Sequence, residues 1–111
     1  MPTTLQQTPR LKKALNFLRK NFPTRSERSV TVRVVKELDG LHGLVEFEDE
    51  GHKPHAYIRI AEDNDYLMVE TLIEEWSHIL RQDTPVPLIK DHDSIFWAIY
   101  GTVVMAFRGG E

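Results

Sequence analysis

Apolar positions along the chain switch from helical spacing to strict alternation and back to helical spacing. Leu11, Leu15, Phe17, Leu18 and Phe22 recur every three to four residues, which predicts a helix over about 9–21. Pro9 suits its first turn and Pro23 ends it. Val30, Val32 and Val34 then alternate with polar neighbours, which predicts a strand over 29–35. Asp39-Gly40 signals a turn. Val45 and Phe47 lie opposite Leu44, Glu46 and Glu48, a second alternating stretch. The chain turns again at 50–54. Ala56, Ile58 and Ile60 alternate with His55, Tyr57 and Arg59, a third.

Helical spacing returns after Asp63 or Asn64, either of which can cap a helix, with Asp65 in or near the first turn. Val69, Leu72, Ile73, Trp76 and Leu80 form its apolar stripe over about 65–82. Pro85 and Pro87 stiffen the next connection. Residues 94–107 are apolar almost all round, and periodicity alone leaves helix and strand open. Their length favours a buried helix, with Asp93 or Ser94 as its cap. The expected fold is α+β: an N-terminal helix, a three-stranded antiparallel meander, then two packed helices. Residues 1–8 read as a flexible N-terminus and 9–111 as one domain, the expectation for 111 residues.

Composition narrows the function classes. The formal net charge is -3, with 41% hydrophobic and 28% charged residues, an ordinary balance for a soluble domain. Such a balance disfavours nucleic acid as a partner. Basic residues do cluster early, from Arg10 to Arg33; a solvated helix face is the plain account, and a basic nucleic-acid-binding helix the alternative. Cysteine is absent, which excludes disulfides, thiolate metal sites and a cysteine nucleophile. Residues 1–10 lack the apolar core of a secretory signal, and no apolar run reaches the roughly 20 residues of a membrane span. A soluble cytoplasmic protein is the expectation.

The candidate chemistry lies in Glu74-Glu75-Trp76-Ser77-His78. It reads as the HExxH helix of a zinc hydrolase with its first histidine replaced by glutamate. Glu74 and His78, four residues apart, share one helix face. They point away from the apolar stripe, and Glu75 falls on the flank between the two faces. His92, just before the last segment, is the candidate third ligand. Glu74, His78 and His92 would be a two-histidine, one-carboxylate zinc set that leaves a fourth position for water, with Glu75 as the proton acceptor. The plain alternative is a solvated Glu–His pair on a polar face. Asp93 is a candidate to orient His92, by adjacency. His42, His52 and His55 fit no ligand position and read as surface residues.

Beyond these residues, Val69 to His78 resembles the active helix of SprT-like zincins. It is especially similar to that of small phage and prophage metallopeptidase-like proteins, whose helix reads TLxHEWAH. In those proteins a histidine is followed four residues later by an aromatic and four further on by a tyrosine, the spacing of His92, Phe96 and Tyr100. Asp39 to Leu44 and the strand Ala56 to Ile60 are similar as well, so the resemblance spans roughly residues 10–107. It implies a minimal zincin-like fold, zinc on His78 and His92, Glu75 as general base, and Ala56–Ile60 as the edge strand along which a peptide lies. The first ligand position falls on Glu74, where that group has histidine. Two functions follow: a zinc-dependent metallopeptidase-like protein, in the host cytoplasm if phage-encoded, or an inactive zincin-fold module that binds a peptide or protein.

Overall fold

The computed structural model describes residues 4–24, 28–48, 54–88 and 90–110. Its elements are β1 (Thr4–Leu5), α1 (Pro9–Asn21), β2 (Ser29–Val35), β3 (Gly43–Glu48), β4 (His55–Ala61), α2 (Asp65–Gln82) and α3 (Ser94–Gly109). The α+β class and every predicted helix and strand are present. The turn expected around 50–54 lies mostly outside the described residues.

The sheet differs from the expected three-stranded antiparallel meander. It is four-stranded and mixed, in the order β1-β2-β4-β3. β4 pairs parallel to β2 and antiparallel to β3. Side-chain chemistry accounts for the order. Ala56, Ile58 and Ile60 of β4 are completely buried, so β4 takes the interior position. β3 carries Glu46 and Glu48 and takes the edge, where exposed charges oppose unwanted strand pairing. Asp39-Gly40, with φ of 50° and 84°, therefore bends a longer connection across the sheet end and is not a tight hairpin between neighbours. The expectation that Ala56–Ile60 forms the edge is corrected with it: the edge beside the helices is β3.

Residues 4–8 are tied down where a flexible N-terminus was expected. Thr4 and Leu5 pair with Val35 and Val34, and Gln7 Nε2 donates to Val32 O at 2.8 Å. Thr8 Oγ1 accepts from Leu11 N at 3.2 Å and caps α1. Residues 1–3 lie outside the described residues.

One face of the sheet carries Val30, Val32, Val34, Ala56, Ile58 and Ile60 and packs under α1 and α2. Leu11, Ala14, Leu15 and Leu18 of α1 complete this core, so the predicted α1 stripe is its buried face. α2 is buried on more sides than a single stripe implies. Val69, Leu72, Ile73 and Trp76 are buried as expected, and Leu80 is half-buried. Met68, Leu72, Glu75 and Ile79, spaced 4-3-4, form a second buried row on the same helix. Trp76 is a core residue, and its Nε1 donates to Phe22 O at 2.9 Å, satisfying the end of α1.

Residues 94–107 are helical, and Asp93 is the cap, its side chain accepting from Phe96 N at 2.8 Å. The helix is not the buried one expected. Phe96, Val103 and Phe107 are buried, but Trp97 is 50% and Met105 77% exposed. α3 packs on α2, and among the described residues no further layer covers its outer side. No helix among the described residues is long and apolar enough to cross a membrane.

Candidate metal centre

α2 projects the candidate residues from successive positions. Asn64 caps its start by accepting from Leu67 N at 2.9 Å. One turn before the helix ends stands His78, half-buried. His92 is brought to it from the far side of the 83–93 connection. The Nε2 atoms of His78 and His92 are 3.1 Å apart, and the ring centroids are 4.9 Å apart. Phe96, fully buried on α3, lies against both imidazoles at 4.4 and 4.6 Å. Tyr100 stacks beyond Phe96 at 6.2 Å, and Trp97 packs on His92 at 5.3 Å. The 92-96-100 spacing is thus one aromatic column behind the histidine pair.

Glu75 is in the second buried row of α2, facing β3, and is 7% exposed. A carboxyl in this row is out of keeping with its apolar neighbours, and the surroundings act on its proton. Burial, reinforced by the negative charge of Glu74, raises its pKa to about 7. His78 is shifted the other way, below its ordinary 6.5. Burial is the main cause and His92 adds to it, against the opposing carboxylates of Glu74 and Asp91. Its imidazole is therefore neutral at pH 7, the form that ligates metals.

Glu75 and His78 line one cleft of about 260 Å³ together with Gly43 and Val45 of β3 and Leu88 and Asp91 of the connection. Its β3 wall stands close to α2. A Cβ on Gly43 would fall 2.4 Å from Thr71 Cγ2 and 3.2 Å from Glu75 Cγ, so only glycine permits this approach.

Glu74 is half-buried one turn before His78, near enough for its charge to act on Glu75, His78 and Tyr100. Its carboxylate does not close a ligand set: among the described residues no three His, Cys, Asp or Glu side chains converge to hold a metal ion. The two histidines are assembled and the third donor is not. His42 is exposed and His55 accepts or donates at 2.8 Å to Thr31 Oγ1 away from the cleft; His52 lies outside the described residues.

Asp93, the candidate to orient His92 by adjacency, turns its carboxylate to a partner the sequence did not suggest. Its carboxylate is engaged by Arg81 Nε at 3.0 and 3.1 Å and Arg81 Nη2 at 2.6 Å, besides capping α3. This bonding holds the Asp93 pKa down at about 2. Arg81, buried to 2% exposure, went unread in the sequence. Its only signal was that it is the one Lys or Arg in α2, set in the last turn of the helix. Asp91 and Gly43 were not singled out either; Gly43 is legible only once β3 is known to approach α2.

Two imidazole nitrogens at this separation suit a divalent ion. Zinc–nitrogen bonds of about 2.0–2.1 Å at a tetrahedral angle put two ligand nitrogens roughly 3.3 Å apart. The same 3.1 Å equally suits a direct hydrogen bond between two neutral imidazoles. No protein-family model matches the chain, and no curated protein or solved structure matches it.

Proposed function

We propose that the chain is a small zinc-dependent peptide hydrolase of the SprT-like zincin kind, with His78 and His92 as its imidazole ligands, Glu74 as the carboxylate ligand and Glu75 as the general base. The observation that carries this reading is the convergence of His78 and His92 at 3.1 Å beside a buried carboxyl. Glu74 is one helical turn from His78, on neighbouring surface about 5–6 Å away at Cβ, so a side-chain rotation is all that ligation asks of it. A zinc ion held there supplies Lewis acidity toward a peptide carbonyl.

The protein's own groups do the rest. In the metal-free chain Glu75 has a pKa of about 7; a zinc ion held beside it would draw that value down and favour the carboxylate a general base must be. As the carboxylate it takes the proton of a water in the cleft while the water oxygen attacks the carbonyl carbon. It returns that proton to the departing amine as the C–N bond breaks. Gly43 to Val45, the uncharged stretch of the β3 edge before Glu46, offers backbone groups to an extended peptide by strand addition, and that peptide then lies along the cleft past Glu75 and His78. The partner is a peptide or protein, and the setting is the cytoplasm.

A metal-loaded sample should hydrolyse an unstructured protein such as casein. Glu75→Gln should retain metal and lose 10²-fold or more of the rate, the scale of general-base catalysis. Unchanged hydrolysis by Glu75→Gln would refute the assignment.

One observation favours a second reading, an inactive zincin-fold module that binds a peptide without turnover: the third donor is not assembled. Glu74→His discriminates. A gain in zinc affinity of orders of magnitude supports the module, and little change supports Glu74 as a working ligand.

A further inference from the structure

The buried Arg81 guanidinium holds five polar contacts. Besides its three contacts with Asp93, Nη1 donates to Val86 O at 2.9 Å and Nη2 to Pro87 O at 3.0 Å. One side chain thereby fastens the 83–93 connection at its middle and at its end. The end it fastens is the residue after His92. Arg81 itself is on α2, three residues after His78, so it belongs to the same rigid turn as the other histidine.

We propose that Arg81 is a positioning residue for the histidine pair: acting through Asp93, it fixes His92 opposite His78 at metal-ligating distance. The proposal rests on the reading of that pair as a metal site. His92 is exposed and stands outside α3, so helical hydrogen bonds do not hold it. Ring contacts with Phe96 and Trp97 orient the imidazole but leave the backbone to be placed by Asp93. Asp93 is in turn placed by the α3 cap, by its carbonyl accepting from Trp97 N, and by the Arg81 fork. The link from His78 to His92 then runs through one turn of helix, one guanidinium and one carboxylate.

The chemistry of the pair fits positioning better than stability. Burying an ion pair offers little net stabilisation over apolar side chains of the same volume. What an apolar pair lacks is direction. A planar fork that bonds a carboxylate side-on and two carbonyls at once sets distance and angle together, which a lysine ammonium does not.

Zinc affinity of the full-length chain tests this, with folding checked by circular dichroism and thermal unfolding. Arg81→Lys keeps the charge and loses the fork; Asp93→Ser keeps a good helix cap and loses the ion pair. Each should weaken zinc binding 10- to 100-fold, the scale for residues that orient ligands. The double variant should lose no more than either alone, since both remove one link. Val32→Ala, a core truncation remote from the pair, should lower thermal stability without lowering zinc affinity. Folded Arg81→Lys and Asp93→Ser proteins binding zinc within twofold of wild type would overturn the proposal. Asp93→Asn, which keeps shape and cap, serves if the other two do not fold, and the same criterion applies to it. If the wild-type chain binds no zinc, the metal reading fails by itself, and nuclear Overhauser contacts between the two imidazole rings decide the positioning role. Contacts present in wild type and lost in Asp93→Ser support it. Contacts retained in the variant, or missing from wild type, overturn it.

Discussion

Glu75 and His78, three positions apart, titrate with opposite consequences for folding. The Glu75 carboxyl has a pKa of about 7 in the fold, against 4.5 ordinarily. Burial of its neutral form is therefore fully tolerated below pH 4.5, and stability is lost as pH rises through 7. In metal-free protein with chelator present, Glu75→Gln should raise thermal stability at pH 8.5 by about 2 kcal/mol and by nothing measurable at pH 4. Equal gains at both pH values would show that packing, not charge, is responsible. His78 acts the other way: its value is below 6.5, so protonation favours the unfolded chain and stability falls as pH drops through 6.5. Of these two roles the sequence made the residue types legible and the environment illegible. Helical geometry put Glu75 on a flank; only packing against β3 shows that its row is the one Met68, Leu72 and Ile79 bury.

Gly43 shows how one element is set by another. Thr71 Oγ1 donates to Leu67 O at 2.8 Å, which holds the Thr71 rotamer with Cγ2 toward Gly43. Gly43→Ala should cost about 1–3 kcal/mol through overpacking. Thr71→Ser, lacking Cγ2, should recover most of that loss in the double variant, and an additive double variant would contradict the contact. At the other end, Thr8→Ala should cost about 1 kcal/mol by uncapping α1, measured by urea unfolding. Element boundaries were legible because strands and helices here carry clean periods; Val30 to Val34 and Ala56 to Ile60 alternate without exception. Strand order was not. Alternation states which face of a strand is buried and is silent on which strand lies beside it. The meander assumed sequential neighbours, whereas the wholly apolar inner face of β4 drew it between β2 and β3. The outer side of α3 shows the converse: an apolar segment reads as buried until the layers around it are counted.

Across the whole molecule, the sheet supplies a rigid floor, α2 lies on it with Glu75 inward and His78 at the rim, and the connection to α3 returns His92 to that rim. Two of the three candidate ligands read from the sequence meet there, though 14 residues separate them. The i, i+4 partner of His78, Glu74, was the easier inference and is the one left outside. The acidic balance, net charge -3, also bears on the basic residues of α1. The chain should elute from immobilised duplex DNA at or below about 0.15 M salt, and retention well above that would revive the nucleic-acid alternative. The central claim is that His78 and His92 together hold a metal. Zinc content by elemental analysis, on tag-free protein equilibrated with zinc and then desalted, tests it most directly. One equivalent per wild-type chain, lost in both His78→Ala and His92→Ala, is the predicted result. A wild-type chain that keeps no zinc, or a His78→Ala chain that keeps as much, would contradict the claim and leave the 3.1 Å contact a hydrogen bond between two imidazoles.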